Sequence, residues 1–295
     1  MSVEDIRRIG LGTARLGAFW QGRSLNDGAK TVATALDLGV ETIDTADVYA
    51  RGIAEKIVGR VLRGRRNVCV MTKVGLLKTP QAIVKSATLR GSIPALTGLR
   101  AAQAADRDYS SEYIKWAAEN SLRRLSVDSV DTLLLHDIDA GSLKVGGFRE
   151  AMENMQTRGL IRRWGAQVAN VEAARAALTV PGLSVLQMPV NVTTGPLPRD
   201  IVVAAKTQGV NIVALAVLGD GRLLHDASAV FGDRSSAVAA LVRDVLREDG
   251  VETALLGMSR YTHAYDNLAA LRCGASAGEE TNFEEFVRRY GKEKP

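Results

Sequence analysis

Eight times along its 295 residues the chain passes from an apolar run of strand length to a longer stretch of helical periodicity. The predicted strands cover 6–13, 41–46, 68–74, 130–136, 163–169, 184–190, 211–217 and 252–257, and the helical patterns run near 25–38, 53–63, 110–124, 147–158, 171–179, 199–208, 235–248 and 261–272. Several patterns carry end signals, such as Ser110 ahead of SEYIKWAAENSLRRL and Gly159 behind FREAMENMQTR. Alternation of this kind is expected of a parallel sheet covered by helices, and eight repeats point to a closed (β/α)8 TIM barrel with parallel strands. The alternative, an open doubly wound sheet, loses ground because the first strand leads into GLGTARLG, which lacks the glycine spacing of the dinucleotide fingerprint.

A chain with 46% apolar and 24% charged residues can bury a large core, and no Pro/Gly/Ser-rich linker divides it, so residues 1–295 read as one barrel domain. Two segments fall outside the repeat. Residues 75–109 form a long irregular connection after the third strand, expected to lie over the site because βα loops open onto the catalytic face of a barrel. Residues 279–295 read as an extra amphipathic helical tail. There is no apolar run of about 18 residues or more, and MSVEDIRRIGLG lacks the apolar stretch of a signal peptide, so the expectation is a cytoplasmic protein with no membrane segment. Cys69 and Cys273 belong to no paired motif, which argues against a disulfide framework. The net charge of +5 gathers at Arg60, Arg63, Arg65 and Arg66, at Arg123 and Arg124, and at Arg162 and Arg163. Each cluster is read as lying at or just past a helix C-terminus, where cations complement the dipole. Aromatics are scarce at 5% and the clusters are scattered, so no nucleic-acid partner is expected.

Four polar residues interrupt the apolar pattern where predicted strands end or have just ended: Asp44 and Tyr49 in ETIDTADVYARG, Lys73 in VCVMTKVG, and His136 in VDTLLLHD. In a closed barrel these ends converge on one rim. An acid at the end of a buried strand needs a counter-charge, and Lys73 is its natural partner. An ammonium beside the Tyr49 phenol is expected to lower the phenol pKa from its ordinary value of about 10, making Tyr49 a usable general acid. His136 is placed to donate a hydrogen bond to a substrate carbonyl oxygen. Phe19 and Trp20, in the loop after the first strand, are candidates for the substrate wall. No metal site is expected, since His136, His225 and His263 lie on separate elements with no ligand spacing among them.

With these residues, the segments GLGTARLG, ETIDTADVYARGIAEKIVGRVLRGR, VCVMTKVG, SLRRLSVDSVDTLLLHD and LQMPVNV make the chain resemble the aldo-keto reductase superfamily over nearly its whole length. The resemblance implies a nicotinamide cofactor bound without a Rossmann fold and hydride transfer to or from a carbonyl carbon. It implies Tyr49 as general acid, Lys73 and Asp44 as the pair that tunes it, and His136 as the residue that orients the carbonyl. The implied cofactor contacts are Gln167, Gln187, Leu215, Gly219, Ser259, Arg260, His263 and Asn267. They depart from the family pattern at three places. WGAQVAN puts Gln167 and Val168 where a Ser-Asn pair is usual, Leu215 stands where a tyrosine would stack on the nicotinamide, and the basic residues for a 2′-phosphate are shifted to Arg260 or His263. The family favours NADP(H), whereas the Gly257-Met258 segment resembles sugar 1-dehydrogenase branches that use NAD(H).

The leading reading is therefore an NAD(P)H-dependent oxidoreductase interconverting a carbonyl and an alcohol on a small polar or sugar-like substrate. Two alternatives stay open: a slow or non-catalytic cofactor-binding regulatory subunit, and a barrel recruited to non-redox proton transfer. Sequence assigns neither the substrate nor the oligomeric state.

Overall fold

The computed structural model describes residues 6–16, 24–77, 107–272 and 278–292. Eight parallel strands close into a barrel in sequence order: β1 (Ile9–Gly12), β2 (Thr42–Asp44), β3 (Cys69–Val74), β4 (Val130–Leu135), β5 (Ile161–Gln167), β6 (Val185–Pro189), β7 (Asn211–Leu215) and β8 (Val251–Gly257). The described helices are α1 (Leu25–Asp37), α2 (Ile53–Leu62), α3 (Ser111–Leu125), α4 (Ala140–Val145), α5 (Arg149–Thr157), α6 (Val171–Ala177), α7 (Arg199–Gln208), α8 (Arg222–Phe231), α9 (Arg234–Arg247), α10 (Tyr261–Arg272) and α11 (Glu279–Lys292). The expected eightfold pattern and (β/α)8 barrel are found. None of the described helices is long and apolar enough to cross a membrane.

Several expected boundaries shift. The first strand begins at Ile9 rather than 6, and the fifth spans Ile161–Gln167 rather than 163–169. Arg162 and Arg163 therefore sit inside β5, Arg163 donating to Thr132 Oγ1 at 3.0 Å, and do not cap a helix as expected. Two helices are additional to the pattern: α4, started by Asp139 accepting from Ser142 N, and α8 between β7 and α9. Ser110 caps α3 as expected, by accepting from Tyr113 N. The tail forms α11, which docks through a buried Glu279–Arg243 ion pair onto α9. Of the long connection, 78–106 lies outside the described residues; its ends are held by a Leu76–Arg107 bridge and an Arg107–Asp137 ion pair.

Period-two alternation decides what fills the barrel. One set of strand residues, including Ile43, Val70, Leu133, Leu135, Leu186 and Ile212, faces outward and forms with the helices a continuous apolar layer. The other set faces the axis, where Met71, Leu134, Val185, Val213 and Leu255 close into a small separate cluster. Three polar side chains stand two residues further along these strands: Lys73 above Met71, His136 above Leu134, and Gln187 above Val185. An apolar floor thus lies directly beneath the polar rim, which lowers the local dielectric for the charges above it.

The α2–α3 pair shows how tightly the outer layer is set. A Cβ on Gly59 would lie 2.3 Å from the backbone oxygen of Leu125, a contact no side-chain rotation relieves. Alanine gains about 1 kcal/mol of helix propensity over glycine, but overpacking against backbone costs about 1–3 kcal/mol. Gly59→Ala is expected to lower stability by up to about 2 kcal/mol net, seen as a reduced urea midpoint at unchanged slope.

Candidate active site

β2 ends at Asp44, and the chain then turns through Thr45–Val48 into a 3-10 turn at Tyr49–Gly52. Three successive residues of that turn, Ala50, Arg51 and Gly52, hold positive φ of 47°, 58° and 83°. Two of them carry side chains, so the turn keeps a conformation that costs of order 1–3 kcal/mol at each such residue. It brings the Tyr49 phenol back over the mouth of the barrel.

There the sequence-predicted tetrad meets. Lys73 Nζ lies 2.6 Å from Asp44 Oδ2, 3.0 Å from the Thr45 carbonyl oxygen and 3.2 Å from the Tyr49 hydroxyl, so all three ammonium protons have acceptors. Lys73 and Asp44 are 1% and 4% exposed, which makes this a desolvated pair held by hydrogen bonds rather than a surface ion pair. Gln187 Nε2 donates to Asp44 Oδ1 at 2.9 Å and occupies the other carboxylate oxygen. The His136 ring stands edge-on to Tyr49, with ring centroids 5.8 Å apart and planes at 86°. Its backbone is pinned from both sides, His136 N donating to Val74 O and Tyr109 OH donating to His136 O, each at 2.8 Å.

The electrostatics differ from the expectation in one respect. Burial holds the Tyr49 phenol above its ordinary pKa; Lys73 pulls it down but does not win, and Asp44 and Asp47 add to the rise. Desolvation disfavours phenolate more than one neighbouring ammonium, itself shared with a carboxylate, stabilises it. For Lys73 burial acts to lower the pKa, but Asp44 and Tyr49 outweigh it and the ammonium stays charged above the usual lysine range. Because Lys73 donates to the phenol oxygen, the Tyr49 proton is left to point elsewhere. The phenol is thus held in its neutral form, with its own proton not engaged by Lys73. Asp47, buried near the turn, has its carboxyl pushed well up by burial and by Glu55 against the pull of Arg124.

The tetrad lines a cavity of about 410 Å³ that also meets Gly12, Gln167, Gln187, Leu215, Ser259 and His263. That volume is within the range of small-molecule sites. Leu215 presents an apolar face beside the tetrad and packs on the inner cluster. Gln167 lines the wall, but its amide is engaged, Oε1 accepting from Asp137 N at 2.8 Å and Nε2 donating to Val168 O at 3.3 Å. Three expected cofactor contacts are not at the wall. Arg260 is exposed, Gly219 is half-buried, and Asn267 is buried at 1% exposure. Phe19 and Trp20 fall outside the described residues.

Sequence reasoning missed Arg15, Ala216–Leu218, Leu224 and Arg234, all of which line the cavity. Arg234 donates from Nη1 to Asn267 Oδ1 at 2.7 Å, and Asn267 Nδ2 has no hydrogen-bond partner among the described residues. These residues suit a nicotinamide dinucleotide: an apolar wall, a proton-bearing tetrad, glycines where backbone approaches the cavity, and a cation backed by an unsatisfied buried amide. No cluster of three or more metal-ligating side chains occurs among the described residues.

Comparison with known proteins agrees with this geometry. The model of the aldo/keto reductase family matches residues 8–237. The chain is 25% identical to L-galactose dehydrogenase of Arabidopsis thaliana over 90% of its own length and 84% of that protein. An aldo-keto reductase of Bacillus halodurans in its holo form superposes with a TM-score of 0.72 at 22% identity, covering 95% of this chain and 91% of the other. An aldo-keto reductase of Klebsiella pneumoniae in complex with NADPH gives 0.64 at 27% identity, covering 96% and 90%. With a closed eight-stranded barrel, its tetrad gathered at one cavity and a family match over most of its length, the chain belongs to the aldo/keto reductase family of NAD(P)-dependent oxidoreductases.

Proposed function

We propose that the protein interconverts a carbonyl and an alcohol on a small polar or sugar-like molecule, with Tyr49 as the proton donor and acceptor. The observation that carries this reading is the single ammonium of Lys73 bonded at once to Asp44 and Tyr49 beside His136, all lining the cavity. In the reducing direction a bound reduced nicotinamide supplies the hydride. Tyr49 OH gives its proton to the carbonyl oxygen as negative charge develops there, and His136 steadies that oxygen by hydrogen bonding. Lys73 offsets the charge left on the phenol oxygen, and Asp44, held by Gln187, keeps Lys73 charged and aimed. Met71, Leu134 and Val185 beneath exclude water, which strengthens each of these interactions. In the reverse direction the same phenol oxygen takes the proton from an alcohol or hemiacetal hydroxyl. A sugar-like substrate is supported by the polar tetrad and by the likeness to L-galactose dehydrogenase.

One observation favours a second reading, a cofactor-binding subunit with slow turnover. Both glutamines expected to contact the cofactor are engaged within the protein, Gln187 with Asp44 and Gln167 with Asp137 N. The test measures NADPH and NADH binding by fluorescence and turnover across a panel of aldehydes and ketones, together with aldoses plus oxidised cofactor. Binding with turnover on at least one polar carbonyl or aldose is expected. Binding without turnover across the panel moves the assignment to the subunit, and binding of neither cofactor at millimolar concentration sinks both.

A further inference from the structure

A second cavity, of about 390 Å³, is lined by residues of α2 and α3 and shares no lining residue with the catalytic one. Helical spacing builds it. Lys56, Arg60 and Arg63 recur at i, i+4 and i+7 from α2 into its C-cap, and Asn120, Arg123 and Arg124 at i, i+3 and i+4 on α3, so each helix turns one cationic face into the groove. Ser126, the C-cap of α3, completes the lining, in which no residue is acidic, aromatic or apolar.

The positive charge of this groove is not discharged within the protein. Arg124 is matched by the buried Glu55, its Nε donating to Oε2 at 2.5 Å, while Glu55 Oε1 accepts from Thr72 Oγ1 at 2.7 Å, so both carboxylate oxygens are taken. Arg60 donates only to a neutral acceptor, Asn26 Oδ1, at 3.0 Å. Lys56, Arg63 and Arg123 are exposed and make no hydrogen bond or ion pair with the described residues. Other surface cations do meet carboxylates, as in Arg65–Asp37 at 2.8 Å, Arg158–Glu119 at 3.5 Å and Arg175–Asp200 at 2.6 Å. The helix dipole explains only part of the cluster. Arg60 lies in the last turn of α2, and Arg123 and Arg124 in the last turn of α3, where cations are favoured. Lys56 stands near the start of α2, where a cation opposes the dipole, and it forms a like-charge i,i+4 pair with Arg60 that weakens the helix. Such an arrangement is relieved by a counter-charge from outside.

The lining also says what kind of anion. Guanidinium forks from two helices, with an amide and a hydroxyl beside them, match the oxygens of phosphoryl groups. No aromatic ring is present to stack on a base, and no apolar side chain to hold an acyl chain. We propose that the groove between α2 and α3 binds a compact anion carrying two or more phosphoryl groups, at a site separate from the catalytic cavity.

Tripolyphosphate, fructose 1,6-bisphosphate and inorganic phosphate are titrated calorimetrically into the full chain, with and without NADPH. The same titrations are made on the triple variant Lys56→Gln, Arg63→Gln, Arg123→Gln and on Asn120→Glu, which places a carboxylate in the groove and leaves every cation in place. A second triple variant, Arg158→Gln, Arg175→Gln, Arg289→Gln, removes the same charge from outside the groove. At least one of the two multiply charged probes is expected to bind one to one, about ten-fold or more tighter than inorganic phosphate, with or without NADPH. The groove triple variant and Asn120→Glu should each weaken that probe about ten-fold or more, and the outer triple variant less than about two-fold. Equal weakening by both triple variants would overturn the proposal, because net charge alone would then hold the anion. Displacement of the probe by NADPH, with the groove variants binding it as the parent does, would move the anion to the catalytic cavity and overturn it as well. So would binding of neither multiply charged probe at millimolar concentration, or tighter binding of a short single-stranded RNA or of anionic phospholipid vesicles than of either probe. A chain that binds no nicotinamide cofactor leaves the comparison of the variants intact, so the oxidoreductase reading and this site fail separately.

Discussion

Tyr49→Phe is expected to cut carbonyl reduction by about 10²–10⁴-fold while leaving NADPH affinity within about two-fold of the parent. The phenyl ring keeps the shape that packs edge-on to His136, so the loss isolates the hydroxyl from the ring. The cofactor contacts proposed here come from other residues, and this supports unchanged affinity. Turnover comparable to the parent would remove Tyr49 from the chemistry. The pH profile adds a second check on the same group. Burial raises the phenol above its ordinary value despite Lys73, so the proton donor is present throughout the neutral range. The reduction rate should therefore be independent of this group at neutral pH and fall only as pH climbs past the usual tyrosine value of about 10. A fall centred near neutrality would mean that a different group supplies the proton, or that the bound cofactor overrides the burial.

What the sequence made legible follows from its period. A parallel barrel strand is apolar on both faces, so a charged or polar residue at a strand end stands out, and Asp44, Lys73 and His136 could be placed on the rim without coordinates. Tyr49 was legible through its short distance from Asp44. The direction of its pKa was not, because sequence shows which charges are near but not how much water is lost, and desolvation is the largest influence on this phenol. Arg234 was hidden by an additional helix. RLLHDASAVF and RSSAVAALVRDVLR are separated only by Gly232 and Asp233, and a pattern of one helix per strand leaves no place for the first of them. Once α8 takes that place, the start of α9 falls at the cavity wall. Gln187 shows a different limit: its strand and face were readable, yet its nearest partner is Asp44, set by the closure of β6 opposite β2 across the barrel axis, a contact between residues 143 positions apart.

Lys73→Met should have the largest effect on the molecule as a whole, because it removes the cation from a pair sealed away from water. Asp44 would then keep Gln187 as a donor but lose the ammonium 2.6 Å away, and an uncompensated buried carboxylate costs about 3–5 kcal/mol. Methionine fills most of the lysine volume, so a cavity contributes little to that loss. The pair's contribution has a defined pH window. Lys73 is raised above its ordinary value in the fold, so its stabilisation is fully present below the usual lysine pKa of about 10.4 and disappears as pH rises through the higher folded value. Urea unfolding at neutral pH is therefore the right measurement, and Asp44→Asn combined with Lys73→Met is the right control. Removing both charges should recover most of the lost stability, since a desolvated ion pair is often replaceable by a neutral one. Turnover should stay as low in the double variant as in Lys73→Met, because the phenol oxygen of Tyr49 has lost the ammonium that stabilises its charge. Recovery of activity along with stability would show that Lys73 serves only to neutralise Asp44; recovery of stability alone would assign it to the proton transfer itself.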